Sequence, residues 1–259
     1  MALGFQHAFG HAGTPSSPAT PKWTEVHRVM FTNKVDDDIK VAGDGVYDTL
    51  DGVQLSVSGT AHATSWDLNP NGDGMEIVPS AAPVWEFMEI SVDWATVYGG
   101  APLDMSKRRV AVVLFEHSNM DIQGEWCHIG FRSGSDYSLY MVGVGGGPTQ
   151  RGLIYSFGAT NTHDFAYASE FVFAVERHGN MLFQRVDDGT DFPDDPDDLT
   201  LRTQDRQSYS GGVCMEDDGR PNVSYNFDDS DQLVFGAACC TNSAAYTLKI
   251  KGIVFLEQA

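Results

Sequence analysis

The stretch FVFAVERHGNMLFQRVDDG at 171–189 restricts the fold of this chain more than any other. Read as a strand, it puts Phe171, Phe173 and Val175 on one face and Val172, Ala174 and Glu176 on the other, because successive side chains alternate. Arg177-His178-Gly179-Asn180 then supplies a turn, since Gly and Asn accept positive φ at little cost. A second strand over 181–186 follows and stops at Asp187-Asp188-Gly189, another turn signal. A hairpin this apolar on both strands must pack against a large partner surface.

The rest of the chain has the same grain. Strands are predicted over 26–32, 46–66, 84–94, 109–117, 126–132, 137–144, 153–157, 170–176, 181–186, 221–226, 232–237 and 246–256. Val110-Ala111-Val112-Val113-Leu114-Phe115 does not alternate but is continuously apolar, which suits a strand covered on both faces. Gly/Asp/Ser/Pro clusters at 42–45, 99–102, 133–136 and 145–148 separate the strands. No helix longer than two turns is expected, and a short one fits 102–108. Many short strands punctuated by turns mean an all-β antiparallel sandwich or barrel. With 259 residues, 42% of them hydrophobic, one core suffices.

The expected organisation is an extended N-terminal arm over 1–22 and a β-sandwich domain over 23–259 with acidic loops around 187–231. The arm is rich in Gly, Pro, Ser and Ala and should not fold alone. Phe5 and Phe9 are its hydrophobic anchors for assembly, either along its own domain or on a partner subunit.

Asp and Glu number 36 against 16 Lys and Arg, a formal net charge of −20. A field of that sign repels phosphates, so nucleic acid is excluded as a partner. The acid is mostly Asp, which fits a surface of Asp-containing turns; adaptation to salty surroundings is the alternative. Cys127, Cys214, Cys239 and Cys240 form no C-x-x-C pair, so they are read as buried free thiols. No apolar run approaches the roughly 18 residues of a membrane span, and the first residues lack the pattern of a secretory signal.

Two stretches resemble the concanavalin-like lectin/glucanase and laminin-G-like jelly rolls, of the kind found in virion proteins of tailed viruses. One is the hairpin, through Phe173-Ala174-Val175-Glu176, His178-Gly179-Asn180 and Phe183-Gln184-Arg185-Val186-Asp187-Asp188-Gly189. The other is Leu233-Val234-Phe235-Gly236 followed by 246–255, which resembles the closing strands of that family. The resemblance implies a two-sheet jelly roll whose last strand returns to pair near the first, with one concave face that in relatives often binds carbohydrate.

Glucanases of this fold carry acids as E-x-D-x-E on one strand. Here Glu89-Ile90-Ser91-Val92-Asp93 keeps the spacing but places Ser91 at the middle acid. Glu89 and Asp93 are therefore the only catalytic candidates of this kind, and a row of polar residues on an ordinary strand is the plainer reading. Asp67, Asn69, Asn71, Asp73 and Glu76 space oxygen ligands at near-alternate positions with glycines between, as calcium loops do. Pro70 and Val78 depart from the EF-hand pattern, so the stretch is either a calcium site or an Asx/Gly-rich turn. His117 and His128 have no metal-ligand spacing and are read as structural. Trp66, Trp85, Trp94, Trp126, Tyr98, Tyr137, Tyr140 and Tyr209 are the pool from which a sugar-stacking platform would be drawn.

With no complete catalytic set, the sequence points to a non-enzymatic virion structural protein, decorating capsid or tail or acting as an adhesin. It would be made in the host cytoplasm, assemble with copies of itself and other virion proteins, and bind host-surface glycans. A free-standing carbohydrate-binding lectin and a glycoside hydrolase using Glu89 and Asp93 are the alternatives.

Overall fold

A computed structural model describes residues 22–33, 43–48, 52–67, 72–80, 86–118, 125–133, 136–144, 150–156, 159–164, 170–178, 181–199, 230–239 and 247–258. The chain folds as an antiparallel β-sandwich of the jelly-roll kind, with two sheets packed on a shared core. The first sheet contains β1 (Thr24–Met30), β4 (Ala63–Asp67), β5 (Met75–Pro79), β7 (Arg108–Ser118), β12 (Glu170–His178), β13 (Met181–Asp188) and β15 (Thr247–Gln258). Its order is β13-β12-β7-β15-β5-β4, with β1 also on β15. The second contains β2 (Gly45–Asp48), β3 (Gln54–Ser58), β6 (Glu86–Asp93), β8 (Glu125–Ser133), β9 (Asp136–Val144), β10 (Gln150–Ser156), β11 (Ala159–Asp164) and β14 (Gln232–Cys239). Its order is β11-β10-β9-β8-β14-β6-β3-β2.

The hairpin at 171–189 forms as its alternation requires. Phe171, Phe173 and Val175 enter the core between the sheets, while Val172 and Ala174 join a second cluster on the outer face of the seven-stranded sheet. Phe115 of β7 stacks on Phe171 at 5.4 Å between ring centroids and meets Phe173 edge-on at 5.3 Å. The continuous run in β7 is buried on both faces for the same reason. Ala111, Val113 and Phe115 face inward, and Val110, Val112 and Leu114 face the outer cluster.

That outer cluster corrects one expectation. The acidic stretch after Asp187 reads as surface loop, but residues 189–199 lie on the sheet, with Pro196 buried and Phe192 and Leu199 packed on the cluster. Trp23 completes it and donates its indole N–H to Asp195 Oδ1 at 3.0 Å. The part of the acidic region over 200–229, the strand expected at 221–226 and the arm with Phe5 and Phe9 lie outside the described residues.

β15 closes the sandwich. It pairs with β7 along one side; on the other, Leu248–Ile250 meets β5 and Gly252–Glu257 meets β1. The last strand thus returns to the first, as the family resemblance implies. A register shift between Ile250 and Gly252 marks the changeover. Gly252 suits it, because a Cβ there would crowd the Val29 carbonyl at 2.9 Å.

Four details depart from the sequence reading. The run 46–66 splits into β2, β3 and β4, broken at Gly52 and Gly59, both at positive φ. Asp93 ends β6 by accepting a hydrogen bond from the Thr96 N–H at 2.7 Å, which caps a single helical turn, α1 (Trp94–Val97). Where a short helix is expected over 102–108, residues 102–107 form bends and turns and Arg108 opens β7. β5 and β11 were not predicted. Among the described residues no helix is long and apolar enough to cross a membrane. Cys127 is buried, and burial pushes its thiol pKa well up.

Candidate functional site

The two outer faces of the sandwich differ in chemistry. The seven-stranded sheet is apolar outside and covered by 189–199; among the described residues, the eight-stranded sheet carries a polar cluster outside, around Val234 and Phe87. In β6, Met88, Ile90 and Val92 point into the core, so Glu89 and Ser91 take the outer face. In β8, Cys127, Ile129 and Phe131 point inward, leaving His128, Gly130 and Arg132 outside. In β14, Leu233, Phe235 and Ala237 point inward, and Gln232, Val234 and Gly236 outside.

Register then assembles the site. Gly236 lies opposite Glu89 on one side and His128 on the other, with Ser58 opposite Glu89 one strand further on. The next row joins Ser91, Val234 and Gly130, and the one beyond it Asp93, Gln232 and Arg132. Glu89 and His128 stand two strands apart, about 10 Å at the backbone. They reach each other across the bare glycine, with His128 Nε2 at 3.9 Å from Glu89 Oε2. A Cβ on Gly236 would also run into the Met88 carbonyl oxygen on the neighbouring strand. Gly236→Ala is therefore expected to destabilise the fold by about 1–3 kcal/mol or more, read as a lower denaturation midpoint; an unchanged midpoint would show that β6 and β14 do not approach this closely.

The charges are paired as tightly as burial demands. Glu89 is 2% exposed and takes an ion pair from Arg132 Nη1, while Arg132 Nη2 donates to Gln232 Oε1 at 2.5 Å and Nε donates to it at 3.2 Å. His128 is fully buried, and neither ring nitrogen finds a hydrogen-bond partner among the described residues. Phe87 packs edge-on against its ring at 5.4 Å. Desolvation lowers the His128 pKa to about 3, so the imidazole is neutral at ordinary pH.

Of the residues singled out from sequence, Glu89 belongs to this site and Asp93 sits at its edge. They share a face but are four residues apart, about 13 Å along the strand. That is the same backbone spacing as the outer acids of E-x-D-x-E; what differs is Ser91 between them. Each is also already engaged, Glu89 by Arg132 and Asp93 by the cap of α1. In the candidate calcium stretch, Asp67 and Glu76 face each other across β4 and β5, and Asp73 is ion-paired with Lys249. Asn69 and Asn71 lie outside the described residues, and among those described no cluster of three metal-ligating side chains forms. Trp66 and Trp94 are core, and Tyr98 is half-buried with its hydroxyl donating to the Val110 and Leu256 carbonyls at 3.1 and 3.2 Å. Trp85 and Tyr209 lie outside the described residues. His117 is buried against Phe171, away from the site.

Sequence reasoning missed Arg132, Gln232 and Gly236 and read His128 as structural. The signal was partly present. W-C-H-I-G-F-R and Q-L-V-F-G alternate, so polar and glycine positions share one face within each strand. What no local pattern discloses is that β14 lies between β6 and β8.

Neither a known family's sequence profile nor the sequence of any curated protein matches the chain. Among solved structures, it is similar to the CBM2 module of the evolved Dit protein of Lactobacillus casei BL23 phage J-1, at 10% identity over 92% of this chain and 96% of that one, with a TM-score of 0.47. It is also similar to a carbohydrate esterase of the Shiga toxin-encoding bacteriophage phi24B, at 12% identity over 92% and 100%, TM-score 0.45. A third is an alginate lyase from a Corynebacterium species, at 9% identity over 74% and 81%, TM-score 0.47.

Proposed function

We propose that this chain is a non-enzymatic virion protein whose eight-stranded sheet binds glycans with its polar outer face. The observation that carries the reading is the pair Arg132 and Gln232, planar groups on adjacent strands that keep partial exposure, held from below by the buried Glu89 beside a neutral His128. Sugar hydroxyls both donate and accept, and fixed planar groups that offer paired donors and acceptors match them. Because the cluster's charges largely cancel, a neutral hydroxyl array costs less to place there than a bare ion. The existing partners of Glu89 and Asp93, and Ser91 in place of the middle acid, speak for binding over hydrolysis.

The particle half of the reading rests on charge. A chain of net charge −20 stays off packaged nucleic acid and suits an outward-facing component. Its proposed partners are copies of itself and neighbouring virion proteins.

A glycan array followed by titration of the strongest binder tests the binding half. Arg132→Ala is expected to weaken that binding by about tenfold or more, equivalent to about 1.4 kcal/mol. An array with no binder would end the reading, and polysaccharide turnover lost on Glu89→Gln would replace it with an enzyme. Mass spectrometry of purified particles from a producing host tests the location; absence of the chain from them would remove the virion assignment.

A further inference from the structure

On the outer face of the other sheet lies a groove of about 610 Å³, within the size range of small-ligand sites. Its floor is apolar, formed by Leu114 of β7, Val254 and Leu256 of β15 and Met30 of β1. One wall is the 190–194 segment, which contributes the partly exposed Phe192 ring. The same strands therefore carry an apolar surface on which 189–199 covers one part and leaves an open trough beside it.

The rim is charged, but its cations are already matched. Arg28 donates to both Glu25 oxygens, with the shortest contact at 2.6 Å, and its guanidinium lies 5.1 Å from the Phe192 ring centroid. Lys251 is ion-paired with Glu116 at 2.8 Å and with Glu170. Asp191 and Asp194 add carboxylates to the lining, so acids outnumber bases there. An anionic ligand is opposed both by this rim and by the whole-chain charge of −20. A purely apolar ligand would strip water from the charged groups without replacing their hydrogen bonds. The fitting ligand has apolar faces for Phe192 and the floor, and uncharged hydroxyl edges for Arg28 and the aspartates. Those are the properties of a neutral sugar chain.

We propose that this groove is a second glycan site, selective for uncharged oligosaccharides, on the face of the sandwich opposite the polar row. The proposal takes from the function above its ligand class alone, since it uses none of the same residues.

The test is a titration in the Arg132→Ala background, where the polar face is disabled, with neutral hexose oligosaccharides from the array and sialylated or uronate-containing ones beside them. Binding of neutral chains is expected to persist there, and adding Met30→Trp, which fills the trough, or Asp191→Ala, which alters only an exposed rim residue, is expected to weaken it about tenfold or more. Loss of all binding in Arg132→Ala alone would overturn the groove and leave the polar-face reading standing. Binding untouched by Arg132→Ala but lost in Asp191→Ala would keep the groove and remove the polar face. A preference for acidic sugars at the groove, or no binding by the native chain, would overturn the proposal.

Discussion

Acidification from pH 7 to pH 5 is expected to cost this protein about 2 kcal/mol through His128 alone, and His128→Phe is expected to abolish that part of the loss. Burial removes the imidazole from water, and no hydrogen bond among the described residues replaces what water supplied, so the folded pKa is about 3 against an ordinary 6.5. Glu89, 3.9 Å away, would favour the imidazolium, but Arg132 already neutralises it, and desolvation wins. Because the folded pKa is the lower one, the unfolded chain takes up the proton first. The stabilisation is therefore complete above pH 6.5 and drains away as the pH falls toward 3, at roughly 1.4 kcal/mol per pH unit. Phenylalanine fills a similar volume and titrates nothing, so the variant should match or exceed the native protein at pH 7 and pull ahead below pH 6. Urea denaturation of both proteins at pH 7, 6 and 5 measures the difference. Parallel stability curves would show that His128 reaches solvent or a partner in the folded state.

The same residue shows where sequence reading stops. Alternation within a strand is set by backbone geometry, so the inward faces of β7, β8, β12 and β14 could be read directly, and with them the sandwich. The hairpin at 171–189 and the return of β15 were legible because local turn chemistry and apolar pattern agree. β5 was hidden because the Asp/Gly stretch before Met75 carries stronger turn and ligand signals than the five-residue strand that follows. Splitting 46–66 required recognising that Gly52 and Gly59 each take positive φ, which a Gly inside an apolar run does not announce. Glu89 stood out for a motif it only half matches. Its ion-pair partner is Arg132, 43 positions away and itself held by Gln232, and only the pairing of β14 with β6 and β8 brings them together. A long-range sheet neighbour has no local signature.

Glu176→Ala is expected to produce the largest loss of stability, about 3 kcal/mol or more, because it takes the shared carboxylate from the buried Arg185 and the half-buried Arg108. Glu176 is 1% exposed on the outer face of β12. It accepts from Arg108 Nε at 2.5 Å and Nη2 at 2.9 Å, and from Arg185 Nη1 at 2.7 Å. Both arginines also hold Asp197, at 2.6 and 3.1 Å, and Arg108 lies 4.8 Å from the Trp23 ring. Burial alone would raise the Asp197 pKa, but hydrogen bonds from Arg108 and Lys22 and the charges of Arg108 and Arg185 outweigh it and bring the value to about 2. The cluster thus ties β7, β12 and β13 to the 189–199 segment over the outer apolar cluster. Removing Glu176 leaves Arg185 with Asp197 and Arg108 with Asp197 and Gln258, and the most buried carboxylate of the cluster is gone. Lys22, which also pairs with Asp197, is 44% exposed, and Lys22→Ala should cost no more than about 1 kcal/mol. Denaturant midpoints compare the two variants, and amide exchange across 189–199 locates the damage. If Glu176→Ala cost no more than Lys22→Ala, the cluster would be solvated and the segment held by its apolar contacts alone. If the exchange rises in 189–199 first, the ion cluster is what keeps that segment on the sheet, and the wall of the groove beside it depends on charges about one strand away.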